Sequence, residues 1–170
     1  MPTLNEPATL VDNPGGIPLT AEGHRMLQKE LDHLTTIKRP EIADRIRESQ
    51  QHGEFSEDNS ELDEVKFEQA MIENRISELK ALFGSAIILE IDQIPTDSVG
   101  IGSKVSVEDL QYGDEFEVRI VATVEADPSR DLVSIESPLG SALYGQAKGD
   151  EVSFEAPEGK KRYKIIDITR

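Results

Sequence analysis

Between Gly53 and Glu64 the sequence reads GEFSEDNSELDE and holds six carboxylates, Glu54, Glu57, Asp58, Glu61, Asp63 and Glu64, with no basic residue among them. Hard carboxylate oxygens suit Mg²⁺, an ion that keeps several of its waters and is commonly shared with substrate phosphates. Two carboxylates alone hold it weakly. The chemistry open to such a run is therefore to lend ligands from Glu54, Glu57 and Asp58 to a metal held chiefly elsewhere, rather than to build a complete site. The plainer alternative is a solvated connection and a helix start, where the helix dipole favours each acid by about 0.3–1 kcal/mol. That accounts for Glu61, Asp63 and Glu64, which fall in the first turns of a helix. It accounts poorly for Glu54, Glu57 and Asp58, because like charges crowded on a tight connection repel one another unless a cation or a partner arrives. The stretch offers acidic ligands but no nucleophile–base pair of its own.

Other candidates are weaker. His24, His33 and His52 lack metal-ligand spacing and read as surface or seam histidines. Lys160, Lys161, Arg162 and Lys164 form a local basic cluster on the last hairpin. It reads as charged protection of a sheet edge or as a docking patch for a partner.

To present Glu54–Asp58 the chain needs a rigid support on each side, and the flanking pattern supplies one. From Thr20, a residue able to cap a helix, to about His52, apolar residues recur at Leu27, Leu31, Leu34, Ile37, Ile42 and Ile46. This is helical spacing, with a disturbance expected at Pro40, which lacks a backbone donor. A helix of that span reaches on the order of 50 Å at ~1.5 Å per residue. Gly53 breaks it. A second helix starts near Asp58 to Ser60, and Leu62, Val65, Gln69, Ile72, Ile76, Leu79 and Phe83 alternate steps of three and four, the seam of a coiled coil. A short connection between two helices that each need an apolar partner predicts an antiparallel hairpin.

After Gly84 the pattern changes to short β-branched runs, AIILEI, KVSV, FEVRIVATV, LVSI, EVSFEA and RYKIIDI, with hairpin signals at Tyr112-Gly113-Asp114 and Pro157-Glu158-Gly159. The fold expected is α+β: a tail over 1–17 without apolar period, read as flexible, an α-helical coiled-coil hairpin over 18–84, and an antiparallel β domain over 85–170.

Composition limits the partners. The formal net charge is −16, and residues 1–82 and 83–170 each carry 9 basic and 17 acidic side chains. Neither half is a basic nucleic-acid domain, since nonspecific binding depends on cations that neutralise phosphates. If the protein works near DNA or RNA, another protein brings it there. No cysteine occurs, which excludes disulfides, thiolate metal sites and cysteine nucleophiles. With no signal peptide and no apolar run of roughly 18 residues, the expectation is a soluble cytoplasmic protein without a membrane partner.

The stretches IPLTAEGHRMLQKELDHLTTIKRPEIADRI, HGEFSEDNSELDE and SELKALFGSAIIL together resemble the N-terminal coiled coil of the bacterial Gre transcript-cleavage factors, the GreA type more than the GreB type. SPLGSALYGQAKGDEVSFEAP, with Ser137, Pro138, Gly140, Ala142, Leu143, Gly145, Gly149 and Asp150, resembles that family's C-terminal domain. The likeness spans residues 17–170. It implies an FKBP-like C-terminal fold and a factor that binds RNA polymerase, enters its secondary channel and stimulates Mg²⁺-dependent cleavage of the transcript's 3′ end in backtracked complexes. It is then an accessory factor rather than an enzyme. It meets nascent RNA and DNA only within the elongation complex and takes no small-molecule substrate.

The family tip reads Gly-Asp, two residues, then Glu-Asn. Here Glu54 stands in the first acidic position and one additional residue precedes Asn59, so the second acid is Asp58 or Glu57. The resemblance assigns Asn59, Ser137 and Pro138 to partner contact. Basic residues near the family tip contact the transcript. Gln50 and Gln51 occupy that stretch here, which leaves Arg45, Arg47 and Lys66, residues that equally suit ion pairs along a helix surface. Two rival readings remain. One is a Gre-like channel regulator without cleavage activity; the other is a coiled-coil chaperone or prolyl isomerase, for which an aromatic-poor domain is a poor pocket.

Overall fold

A computed structural model describes residues 16–52 and 60–170. It divides into a helical unit, residues 22–85, and a second unit in which residues 16–21 join residues 86–170. The expectation of a flexible tail concerns residues that, up to Gly15, lie outside the described ones, as do Glu54, Glu57, Asp58 and Asn59.

In the helical unit α1 (Ala21–His33) runs through a π-helical turn (Leu34–Lys38) into α2 (Arg39–His52), and α3 (Ser60–Ser85) pairs with them. The disturbance expected at Pro40 is this π turn. In an α-helix the proline ring would press on the carbonyl four residues back. Here the turn before it is widened, and the Arg39 N–H donates to the Leu34 carbonyl five residues back. The hydroxyls of Thr35 and Thr36 donate to the Leu31 and Asp32 carbonyls at 2.8 and 2.6 Å. The wider turn also shifts the apolar stripe. Ile37, expected on the seam, is 46% exposed, and Lys38 takes the half-buried position.

On α3, Val65, Ile76, Leu79 and Leu82 are buried and Leu62, Ile72 and Phe83 half-buried, facing buried Leu27, Ile42 and Ser49 on the other arm. Gln69 is exposed rather than in the seam, and Glu68 beside it is half-buried. The contact side at this level is taken by Glu68, which pairs with Arg45 of the other arm. Antiparallel direction is fixed by pairs that run opposite ways along the two arms: His24 on Phe83, Glu30 with Arg75, Arg39 with Glu73, and Arg45 with Glu68.

The second unit holds two sheets. The strands β1 (Ile17–Thr20) and β2 (Ala86–Leu89) pair in parallel, Ile17 opposite Ala86 and Thr20 opposite Leu89. Residues 18–20, expected at the start of the hairpin, therefore belong to the β unit. Leu19 is fully buried, and Thr20 gives its N–H and hydroxyl to the two carboxylate oxygens of buried Glu125 at 2.9 and 2.5 Å. The larger sheet has the order β5-β4-β3-β7-β6, with β3 (Lys104–Asp109), β4 (Glu115–Val121), β5 (Leu132–Ser134), β6 (Glu151–Ala156) and β7 (Gly159–Thr169).

The expected all-antiparallel domain is thus mixed, because β5 runs parallel to β4 as β1 does to β2. Residues 122–131 make this possible. They wind through two short 3₁₀ turns, Thr123–Glu125 and Pro128–Arg130, and bring the chain back to start β5 beside the middle of β4. The hairpin signals hold: Asp109 caps the β3–β4 loop by accepting the Gln111 and Tyr112 N–H groups, and Ala156 pairs with Gly159 across Pro157-Glu158. Val105, Val107, Val118, Ile120, Ile165 and Leu143 fill the core, the last from the short helix α4 (Pro138–Leu143).

Candidate functional site

In the sequence the acidic run lies between α2 and α3, and these two helices are what the structure describes on either side of it. Arg39 donates to both Glu73 oxygens at 2.7 and 2.8 Å, Arg75 to both Glu30 oxygens at 2.6 and 3.0 Å, and Arg45 to Glu68 at 2.6 Å. Planar, two-pronged guanidinium–carboxylate pairs fix orientation as well as distance. The hydrogen bond from Arg39 holds the Glu73 carboxyl below its ordinary range, against a smaller opposing effect of burial. Each side chain is 37–48% exposed, so these pairs serve register more than stability. Nearest the acidic run among the buried residues described, Ser49 on α2 and Val65 on α3 are each 2% exposed.

Flanking the undescribed stretch, Gln50, Gln51 and His52 close α2 on the solvent side, and Glu61 and Asp63 stand in the first turn of α3, where the helix dipole favours them. Among the described residues no group of three or more histidines, aspartates or glutamates is gathered as a metal site.

The basic candidates are committed locally. Arg45 pairs with Glu68 across the helices, and Arg47 pairs with Asp44 one turn back. Lys66 is exposed. His24 stacks edge-on against Phe83, with ring centres 5.0 Å apart, while His33 and His52 are exposed helix-end residues. Only part of the Lys160–Lys164 cluster lies inside the sheet: β7 pairs with β3 from Tyr163 onward, so Lys164 has strands on both sides, while Lys160 and Lys161 pair with β6 alone. Its cations answer acids. Lys161 pairs with Glu158, Arg162 with Glu151, and Lys160 and Lys164 stand opposite Glu155 and Glu151.

Ser137 and Pro138 occupy a built corner of the β unit. The Ser137 hydroxyl caps α4, accepting from the Gly140 N–H at 3.0 Å and donating to the Ser134 carbonyl at 2.7 Å, and Pro138 follows as the first helical residue. Pro138 is exposed. The hydroxyl of Thr123 lies 2.8 Å from that of Ser134 and donates to Glu136 at 2.6 Å, which ties the approach to the corner. Reading the sequence singled out Ser137 and Pro138 but missed Thr123, Ser134 and Glu136. Ser-Pro ahead of an apolar run signals a helix start, whereas nothing local signals a hydroxyl network spanning 13 residues.

Two family descriptions match this chain: "Transcription elongation factor, N-terminal" over residues 17–88, and "Transcription elongation factor, GreA/GreB, C-term" over residues 94–170. Transcription elongation factor GreA of Thermoanaerobacter pseudethanolicus is 45% identical over 152 residues, which cover 89% of this chain and 96% of the relative. GreA of Acetivibrio thermocellus is 45% identical over 89% of this chain and 95% of the relative. Among solved structures, the GreA factor homolog 1 (Gfh1) protein of Thermus thermophilus is 29% identical, with a TM-score of 0.43 over 91% of this chain and 99% of that one. Both halves of the chain, the helical hairpin and the curled sheet, are matched in order by one family, and the chain belongs to the GreA/GreB transcription elongation factors.

Proposed function

We propose that this factor binds RNA polymerase, inserts its hairpin into the secondary channel and stimulates the polymerase's own hydrolysis of the transcript near its 3′ end in backtracked complexes. The observation that supports this most is that the two helices flanking Glu54, Glu57 and Asp58 in the sequence are keyed antiparallel by three cross-helix ion pairs. Such a rod delivers acids without contributing a nucleophile, which is what an accessory to a two-metal phosphoryl hydrolysis requires. Glu54 and Asp58, or Glu57 in place of Asp58, would lend oxygens to a Mg²⁺ shared with the polymerase. When bound, that ion stabilises charge on the phosphoryl oxygens and activates water. Asn59 would contact the partner beside these acids.

With Arg45 and Arg47 held in ion pairs, transcript contact falls to whatever these pairs release on binding. The corner at Ser137 and Pro138 would dock on the polymerase, and the FKBP-like reading of this unit belongs to the same proposal. RNA and DNA are met only inside the elongation complex, in the cytoplasm. No described helix is long and apolar enough to cross a membrane.

The altered tip, with Glu54 for aspartate and an additional residue before Asn59, favours a second reading, a channel regulator that does not promote cleavage. One experiment separates the two. The protein is added to a stalled, backtracked elongation complex with Mg²⁺. Shortened transcripts support the first reading; bound protein with unshortened transcripts supports the second.

A further inference from the structure

The outer face of the five-stranded sheet carries a charge pairing that its surroundings leave unanswered. Along β3 the outward residues Lys104, Ser106 and Glu108 alternate with buried Val105, Val107 and Asp109. In the β3–β4 ladder Lys104 lies directly opposite Arg119, and directly opposite residues share a face with Cβ atoms about 4.5–5.5 Å apart. Thr169 on β7 opposes Lys104 from the other side, and Leu132 on β5 opposes Arg119. One row across four strands therefore reads Thr169, Lys104, Arg119, Leu132.

Like charges placed opposite each other destabilise a sheet. Both side chains are half-buried, and among the described residues neither makes an ion pair or a side-chain hydrogen bond, in a chain with 34 acids against 18 bases. Three other cations of this unit are matched, Lys148 by Asp167, Lys161 by Glu158 and Arg162 by Glu151. The next row inward holds Asp167, already engaged by Lys148, then Ser106 and Glu117, whose carboxylate does not close on either cation.

We infer that Lys104 and Arg119 form a docking point for a carboxylate on an acidic segment of the polymerase, with Leu132 as its apolar flank. The inference rests on the function proposed above and adds to it a surface and a chemistry. A carboxylate is the better fit than a nucleic-acid backbone. A guanidinium beside an ammonium grips one carboxylate well. A run of phosphates would have to continue over Glu117, Glu115 and Glu108 on the adjoining outward positions, where it is repelled.

The test is a titration of core RNA polymerase with the full-length protein and with the double variant Lys104→Ser/Arg119→Ser, at low and at high salt. The variant should bind about tenfold more weakly at low salt, with the gap closing at high salt, as expected for a charge contact. Its melting temperature should be unchanged or higher, since a repulsion is removed; a purely structural role would lower it. Lys104→Arg should retain affinity. Equal affinity of variant and wild type overturns the inference while leaving the proposed function standing. Failure of the wild type to bind polymerase at all overturns both. In a parallel arm with single-stranded RNA and duplex DNA alone, binding that the double variant loses would assign the pair to phosphates and overturn the acidic segment.

Discussion

Replacing Gly140 with alanine tests the corner that carries Ser137 and Pro138, and the structure sets the size of the effect. A Cβ built at Gly140 would lie 1.9 Å from the Ser134 carbonyl oxygen, 2.8 Å from its carbon and 3.1 Å from the Ile135 Cα. All three contacts are backbone, so no side chain can swing aside. To bring the oxygen even to 3.0 Å, α4 and β5 must part by about 1.1 Å. The same movement stretches the hydrogen bond from Ser137 to the Ser134 carbonyl, which ties α4 to β5 at 2.7 Å. Overpacking a filled site costs about 1–3 kcal/mol, and loosening this bond and the cap adds about 1–2 kcal/mol. Alanine returns up to about 1 kcal/mol of helix propensity. The net loss is about 1–5 kcal/mol, which for a domain of this size lowers the melting temperature by at least about 4 °C. Thermal unfolding followed by circular dichroism reads this directly. Ser137→Ala, which removes the cap without a clash, should fall between wild type and Gly140→Ala. If Gly140→Ala melts within about 2 °C of wild type, the close approach of α4 to β5 is not what holds this corner.

Further outcomes test the proposed chemistry and the hairpin. Glu54→Gln and Asp58→Asn should each abolish cleavage stimulation while sparing polymerase binding, with Glu57→Gln milder. Counting back from Leu62 and Val65, whose packing fixes direction on α3, places Asp58 in the role; an active Asp58→Asn beside a dead Glu57→Gln would move the role to Glu57. Naked RNA with Mg²⁺ should remain intact in the presence of the protein, and its cleavage would refute the accessory role. The Glu73 carboxyl is held below its ordinary range by Arg39, so this pair stabilises above the ordinary carboxylate range, and that contribution fades as pH falls through the lowered value. In acid titrations Glu73→Gln should lose less stability than wild type, by a small margin because the pair is exposed; equal losses would show the pair is idle in solution.

The sequence made the helices legible because seam residues at three-and-four spacing leave few alternatives, and it made the acidic candidates legible because side-chain type alone carries that argument. Other features depend on distant or cumulative geometry. Pro40 announces a disturbance but not its remedy, so the π turn and the exposure of Ile37 were out of reach. Gln69 gave its place to Glu68, whose partner Arg45 stands on the other arm. The four residues IPLT form a strand only because residues 86–89 lie alongside, a pairing across more than sixty residues that no local period records. The opposition of Lys104 and Arg119 is likewise a product of register.

The parallel pairing of β1 with β2 also has a bearing on how the chain is made. Strands in parallel need a crossover connection, and here that connection is the whole helical hairpin, residues 21–85, so the hairpin is in effect an insertion within the β unit. During synthesis Leu19 and Thr20 leave the ribosome early, yet their cover arrives only with Ala86–Leu89 and Glu125. The hairpin, closed by contacts within itself, can form first and keep the waiting strand short and tethered. A nascent chain arrested before Glu125 emerges should therefore hold a protease-resistant hairpin while the peptide bonds around Leu19 are still cut.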